Sequence, residues 1–200
     1  MASHKLFINN QWVDPIGGKS FSVLNPANEQ TIAEVAEAGA EDVARAVAAA
    51  RQAFDAGKWP QMAPGERTKI MLKMADLMEG QLDAFAQLET SNTGKTLIES
   101  RIELGLAVEV LRYYAGWATK ITGETLPSRP NAFLYTLREP VGVVGAITPW
   151  NFPLLLAMWK YAAALAAGNT IVHKPASLTP LTALKFAEVA QAAGLPEGVF

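Results

Sequence analysis

After Pro140, residues 141–148 form a nearly continuous apolar run, the pattern of a strand buried on both faces. A strand of that kind needs covering layers, and the sequence provides them at once. Pro149-Trp150-Asn151 closes the run, residues 152–167 read as a helix, Gly168-Asn169 as a turn, 170–173 as a second strand and 179–193 as a second helix. The fold class is therefore α/β: an open, mostly parallel sheet flanked by helices. Such a βαβ unit gathers strand ends and helix starts on one edge, where nucleotides bind in open sheets. Fold alone does not give function. There is no GxGxxG, no GxxxxGK[ST] and no internal repeat; Gly142 and Gly145 have the wrong count and lie inside the strand.

Upstream, residues 6–36 alternate short β-rich pieces with turn signals at Asn9-Asn10, at 14–18 and at Asn25-Pro26, which predicts hairpin strands. From Glu41 the period becomes helical, with Val43, Val47, Ala50 and Phe54 on one expected core stripe, ended by Gly57 and Pro60. A second helix opens after Pro64 and runs through Ile70, Met74, Leu77, Met78, Leu82 and Phe85 towards Gly94-Lys95. A third, about 97–121, repeats Ile98, Ile102, Leu106, Val110, Tyr113, Tyr114, Trp117 and Ile121, and apolar residues at that spacing are usually core. Residues 133–139 alternate as a strand.

With 50% hydrophobic and 18% charged residues the chain is no disordered segment. A net charge of −2 offers no basic field for a nucleic-acid backbone or an anionic membrane face, so neither is an expected partner. The apolar stretch 152–167 is interrupted by Pro153, Lys160 and Tyr161 and falls short of the ~20 residues of a membrane span. The first ten residues carry no signal-peptide core, and the expected compartment is the cytoplasm. Zero cysteines exclude disulfides, thiolate metal sites and a thiol nucleophile within these residues, and His4 and His173 are too far apart for zinc spacing. No metal is expected.

The string Thr148-Pro149-Trp150-Asn151-Phe152-Pro153-Leu154-Leu155, followed by Trp159-Lys160, by Ala164-Leu165-Ala166-Ala167-Gly168-Asn169 and by Lys174-Pro175-Ala176, strongly resembles the NAD(P)-dependent aldehyde dehydrogenase superfamily. The likeness extends along the chain, from Phe7-Ile8-Asn9-Asn10-Gln11-Trp12 and Asn25-Pro26, through Leu88-Glu89-Thr90 and Gly94-Lys95, the 113–117 segment and Arg138-Glu139-Pro140-Val141-Gly142, to residues 194–200. It implies an aldehyde-dehydrogenase-like fold with a Rossmann-type sheet and a protruding β-hairpin arm. Residues 1–124 would form the amino-terminal part of the cofactor domain, 125–140 an oligomerisation arm, and 141–200 the first βαβα units. The family carries its catalytic Cys, its general-base Glu and most of its catalytic domain further downstream, so the chain is expected to be a truncated, amino-terminal piece.

The resemblance assigns Asn151 as the side-chain donor to the oxyanion that forms when a thiolate adds to the aldehyde; the local sequence alone reads as a helix N-cap. It implies NAD or NADP as cofactor, held by Ile147, Thr148, Pro149, Trp150, Lys174, Pro175, Ala176 and Ser177, with Lys174 on the adenosine ribose. Ser177 stands where NAD-preferring members carry Glu, and a neutral hydroxyl there removes the repulsion of a 2′-phosphate, so NADP should be tolerated. Lys160 matches a lysine at the bottom of the active site; sitting amid apolar residues, it is expected to be buried beside a carboxylate, in a charge relay or a structural pair. Ile102, Leu106, Phe152, Leu156 and Trp159 match the aldehyde tunnel and suit a hydrophobic or aromatic substrate, or they are simply core. Phe152, where betaine-aldehyde-like members often carry Tyr, argues against a quaternary ammonium substrate, although Trp159 offers a cation–π face.

The implied activity is oxidation of an aldehyde to a carboxylic acid, with self-association through 125–140. The alternative is a catalytically inactive product, at most a nucleotide-binding or assembly module. Within enzymes, an acylating relative is the other reading, and the Pro-Trp-Asn-Phe-Pro form favours the hydrolytic branch.

Overall fold

The computed structural model describes residues 2–200. The amino-terminal layer is made of five short strands. β1 (Ala2–His4) pairs in parallel with β5 (Thr31–Ala36), which pairs antiparallel with β4 (Ser20–Leu24). The hairpin of β2 (Leu6–Ile8) and β3 (Gln11–Val13) is closed by Asn9 and Asn10, both with positive φ (53° and 59°), the conformation a type I′ turn requires. Four helices follow: α1 (Ala40–Asp55), α2 (Pro64–Glu79), α3 (Leu82–Thr93) and α4 (Leu97–Ala115). The chain then forms the hairpin of β6 (Thr125–Leu126) and β7 (Leu134–Tyr135), and finally β8 (Val143–Ile147), α5 (Pro153–Ala166), β9 (Thr170–Lys174) and α6 (Leu181–Ala193).

β8 and β9 pair in parallel, with Ile147 opposite Lys174, and α1 and α5 both pack on the pair. α5 is apolar almost all round and is the centre of the main core, lying against α4 and α2 with Leu154, Met158, Tyr161 and Leu165 fully buried. The crossover from β8 through α5 to β9 is the βαβ unit the sequence predicts. The strand expected to be buried on both faces is not: within β8 only Ala146 is buried, and Val141 before it and Ile147 at its end are open, because β9 is the one strand paired with β8 among the described residues. The strand expected over 133–139 shrinks to two residues in an exposed arm. No helix among the described residues is long and apolar enough to cross a membrane.

Three helical expectations are corrected. The run expected from Pro64 through Phe85 is two helices, since the chain breaks at Gly80-Gln81 and α3 begins at Leu82. On α1, Val43 and Val47 face outward while Asp42 turns in, because its carboxylate accepts from the backbone N–H of Gly39 (3.0 Å) and of Ile16 (3.2 Å). On α4, which ends at Ala115 and not near 121, the conspicuous stripe of Ile98, Ile102, Leu106 and Tyr113 is exposed. The buried face is the more modest series Ser100, Leu104, Ala107, Val108, Leu111 and Ala115, whose small members let α4 lie close to its neighbours while Leu104 and Leu111 fill the seam. Leu104→Ala in this 200-residue chain should therefore cost ~2–5 kcal/mol by urea unfolding, whereas Ile102→Ala, at a side chain 59% exposed, should cost below ~0.5 kcal/mol. Equal losses would mean the seam has been misassigned.

Candidate functional site

The parallel register brings the carboxyl ends of β8 and β9 side by side, and every predicted cofactor residue lies there: Ile147, Thr148, Pro149 and Trp150 leaving one strand, Lys174, Pro175, Ala176 and Ser177 leaving the other. Ile147 is 74% exposed, Trp150, Lys174 and Ser177 are open, and Thr148 is buried behind them. An ammonium and a hydroxyl on one loop beside an open apolar surface suit the ribose and phosphates of a dinucleotide.

Asn151 follows in the turn that leads to α5. It is not the cap of that helix. Phe152 occupies the cap position with φ −135° and ψ 64°, no side chain caps α5, and Pro153 opens the helix without an N–H to be satisfied. The turn is held instead at two successive carbonyls. Thr179 Oγ1 donates to Trp150 O (3.2 Å), and Lys95 Nζ donates to Asn151 O (2.8 Å). Lys95 also pairs with Glu103 on α4 and lies 4.6 Å from the centre of the Phe152 ring. Asn151 itself is exposed.

Behind the strand ends runs a buried polar chain. Thr148 Oγ1 is hydrogen-bonded to His173 Nε2 (2.9 Å), and His173 Nδ1 to the hydroxyl of Tyr161, which is fully buried and stacks on Phe186. Burial, helped by the charges of Lys160 and Lys174, pushes the His173 imidazole down to about 3, and burial pushes the Tyr161 phenol well up. His173 thus stays neutral and has both ring nitrogens engaged.

The end of α3 organises both halves of the site. Glu89, 1% exposed, accepts from Thr182 Oγ1 on α6 (2.6 Å), and burial raises its carboxyl against the opposing pull of Thr182, Lys95 and the Leu154 backbone N–H in the first turn of α5. Asn92 donates to Leu178 O (3.0 Å) and accepts from Leu181 N (3.2 Å), satisfying the start of α6 from a distance. Gly94, in the left-handed region at φ 81°, ends α3 and releases the chain towards Lys95.

Of the five predicted tunnel residues, Ile102 and Leu106 are on the open face of α4, while Phe152 and Trp159 are exposed and Leu156 half-buried at the start of α5, against which α4 packs. They are not core. Lys160 departs from expectation: it is exposed, its Nζ donates to Leu156 O (3.3 Å), and no carboxylate among the described residues pairs with it, because its face of α5 points away from the packed interior. Glu103, Asn92 and Thr179 were not singled out by the sequence, and Glu89 and Lys95 entered only within the strings Leu88-Glu89-Thr90 and Gly94-Lys95 that carry the resemblance, with no role attached; the other signal was that Glu89 and Asn92 are polar residues on a stretch of helix that needs a buried face.

A family model described as the aldehyde dehydrogenase family matches residues 12–200. Aldehyde dehydrogenase 1A1 of Equus caballus is 51% identical over 98% of this chain and 39% of its own length. The mitochondrial benzaldehyde dehydrogenase of Antirrhinum majus is 51% identical over 98% of this chain and 37% of its own length. The NAD+ complex of an aldehyde dehydrogenase from Bacillus cereus superposes with a TM-score of 0.97 at 48% identity, covering 98% of this chain and 40% of that one. The chain thus spans about 40% of the length of relatives such as these.

Proposed function

The chain belongs to the aldehyde dehydrogenase family, and from that premise we propose that it is the cofactor-holding and oxyanion-donating part of an enzyme that oxidises a hydrophobic or aromatic aldehyde to a carboxylic acid with NAD or NADP. The observation that carries the reading is the Asn151 turn: its amide is exposed and uncapped, at the mouth of the β8–β9 edge, while its backbone is pinned from two sides. As a thiolate adds to the aldehyde carbon, negative charge develops on the carbonyl oxygen, and the Asn151 side-chain N–H donates to it. Lys174 and Ser177 hold the ribose and phosphate end of the dinucleotide, and residues 147–150 shape the surface beside it. Bound there, the nicotinamide supplies the hydride acceptor.

These 200 residues hold no cysteine, so the thiolate comes from outside them, and we propose that alone they are inactive. Ile102, Leu106, Phe152, Leu156 and Trp159 form one wall of the aldehyde tunnel, consistent with their open placement. Lys160 is free to meet a carboxylate from outside this chain, in a relay or a structural pair. The exposed β6–β7 arm, with Phe133 and Leu137 open to solvent, pairs subunits through its strand edge, and the working compartment is the cytoplasm.

The test is turnover by the protein expressed from its native gene, with a panel of aldehydes and both cofactors. Reduction of NAD and of NADP is expected, the 200-residue chain alone should reduce neither, and Ser177→Glu should shift preference about tenfold or more towards NAD through repulsion of the 2′-phosphate. No turnover with any aldehyde removes the dehydrogenase reading. A strong NAD preference that Ser177→Glu leaves unaltered removes the role of Ser177.

A further inference from the structure

We infer that Lys95, held in place by Glu103, is a positioning residue for Asn151, an inference that rests on the oxyanion-donor reading above. The Asn151 carbonyl belongs to the peptide plane joining Asn151 to Phe152, so a donor that fixes this oxygen fixes ψ of Asn151 and with it the direction in which the side chain leaves the turn. Little else on this turn does so. Phe152 caps α5 in a non-helical conformation, and Pro153 offers no N–H that would draw the preceding residues into the helical ladder.

Lys95 is suited to the task. Its Nζ donates to the exposed Asn151 O at 2.8 Å from a side chain that is itself 13% exposed, with its partner Glu103 at 14%, and a charge-assisted bond is among the stronger and more directional contacts available to a side chain. The pair with Glu103 and the contact with the face of Phe152, 4.6 Å away, leave the ammonium saturated, so it serves the turn and not a ligand. Glu103 anchors this arrangement to α4, the helix that also carries Ile102 and Leu106. Thr179 fixes the adjacent carbonyl of Trp150, so the turn is clamped from the loop after α3 on one side and from the segment before α6 on the other.

The experiment is a double-mutant cycle on kcat in the protein expressed from its native gene. Lys95→Met keeps the stem against Phe152 and removes the donor; it should lower kcat by about 10- to 100-fold while KM for NAD stays within about twofold, as expected when a reacting group is displaced without loss of cofactor contacts. Lys95→Arg, which keeps a donor in reach, should restore most of the rate. In the Asn151→Ala background Lys95→Met should cost almost nothing further, because nothing remains to be positioned. If Lys95→Met does not fold, Glu103→Gln, which loosens the ammonium, is read by the same criterion: slower with Asn151 present, no slower without it.

A loss of equal factor in both backgrounds, an unaltered kcat, or a change confined to KM overturns the inference. An Asn151→Ala protein with undiminished kcat overturns the donor reading itself, and Lys95's role with it. The two failures are therefore separable.

Discussion

On the proposed oxyanion role, Asn151→Ala in the protein expressed from its native gene should turn over about 10²–10³ times more slowly than wild type, equivalent to ~3–4 kcal/mol of barrier. An N–H aimed at a developing oxyanion is worth little to the neutral carbonyl of the bound aldehyde and much to the tetrahedral adduct. The loss should therefore fall on kcat, and KM should barely move. Asn151→Asp is the sharper probe, because it keeps the shape and places an acceptor where a donor is required; it should be at least as slow as the alanine variant. A capping asparagine would behave otherwise, costing about 1 kcal/mol of stability and leaving kcat alone. The α5 cap is Phe152, with no side-chain bond, so that outcome has no basis in the turn. An Asn151→Ala enzyme within about threefold of wild-type kcat would show that the oxyanion is stabilised elsewhere.

The second large effect concerns stability and acid. His173 has an imidazole held down at about 3 by burial, with Lys160 and Lys174 adding, against an ordinary value of 6.5. Below 6.5 the unfolded chain takes up a proton there that the folded chain refuses. The stabilisation is thus complete above 6.5 and is lost progressively as the pH falls towards 3, a window worth roughly 4–5 kcal/mol in the 200-residue chain. The geometry explains the refusal. With both nitrogens engaged by Thr148 and Tyr161, a second ring proton would have to displace a donor or turn it into an acceptor.

Glu89 works in the opposite sense. Its carboxyl is raised by burial, so the folded chain holds a proton above the usual carboxylate range, and acidification relieves the cost of keeping a buried charge. Urea unfolding followed from neutral pH to about pH 3.5 should show a net fall for wild type, a much flatter profile for His173→Leu and a steeper one for Glu89→Gln. A wild-type profile matching that of His173→Leu would mean the ring is protonated without penalty.

The carboxy-terminal half of the fold was legible in the residues themselves, because Pro149, Pro153 and Gly168 punctuate long apolar runs whose type is decided by length. The same holds for the first hairpin, where Asn9-Asn10 permits the two positive φ angles. The face of α4 was not, and that of α1 only in its second half, where Ala50 is buried as expected while Val43 and Val47 are open. Periodicity finds a stripe, but α4 carries two, and the larger residues of the Ile98–Ile102–Leu106 series outweighed the smaller set that makes close packing feasible. The burial of Asp42 carried no signal in the sequence, since a charge reads as surface until its backbone partners Gly39 and Ile16 are seen. At the site, the linear string Thr148-Pro149-Trp150-Asn151 located the edge of the sheet, and Lys174 its neighbour. What holds that edge, Lys95 on Asn151 and Glu89 and Asn92 on α6, joins residues far apart along the chain; Glu89 and Lys95 lie in strings that carry the family likeness, but nothing local in those strings tells which distant groups they hold.

That remoteness has a kinetic meaning. The bonds from the end of α3 span 56 residues to Asn151, 89 to Leu181 and 93 to Thr182. Each closes a long loop, so the strand-end edge cannot acquire its shape as an isolated βαβ fragment early in folding; it becomes ordered only when the end of α3 and Lys95 meet α6 and the turn before α5. For the same reason the edge cannot fray on its own. Opening the Asn151 turn breaks bonds that reach to Lys95 and its partner Glu103 on α4 and to Thr179 before α6, so the turn moves with those elements and not as an isolated surface loop.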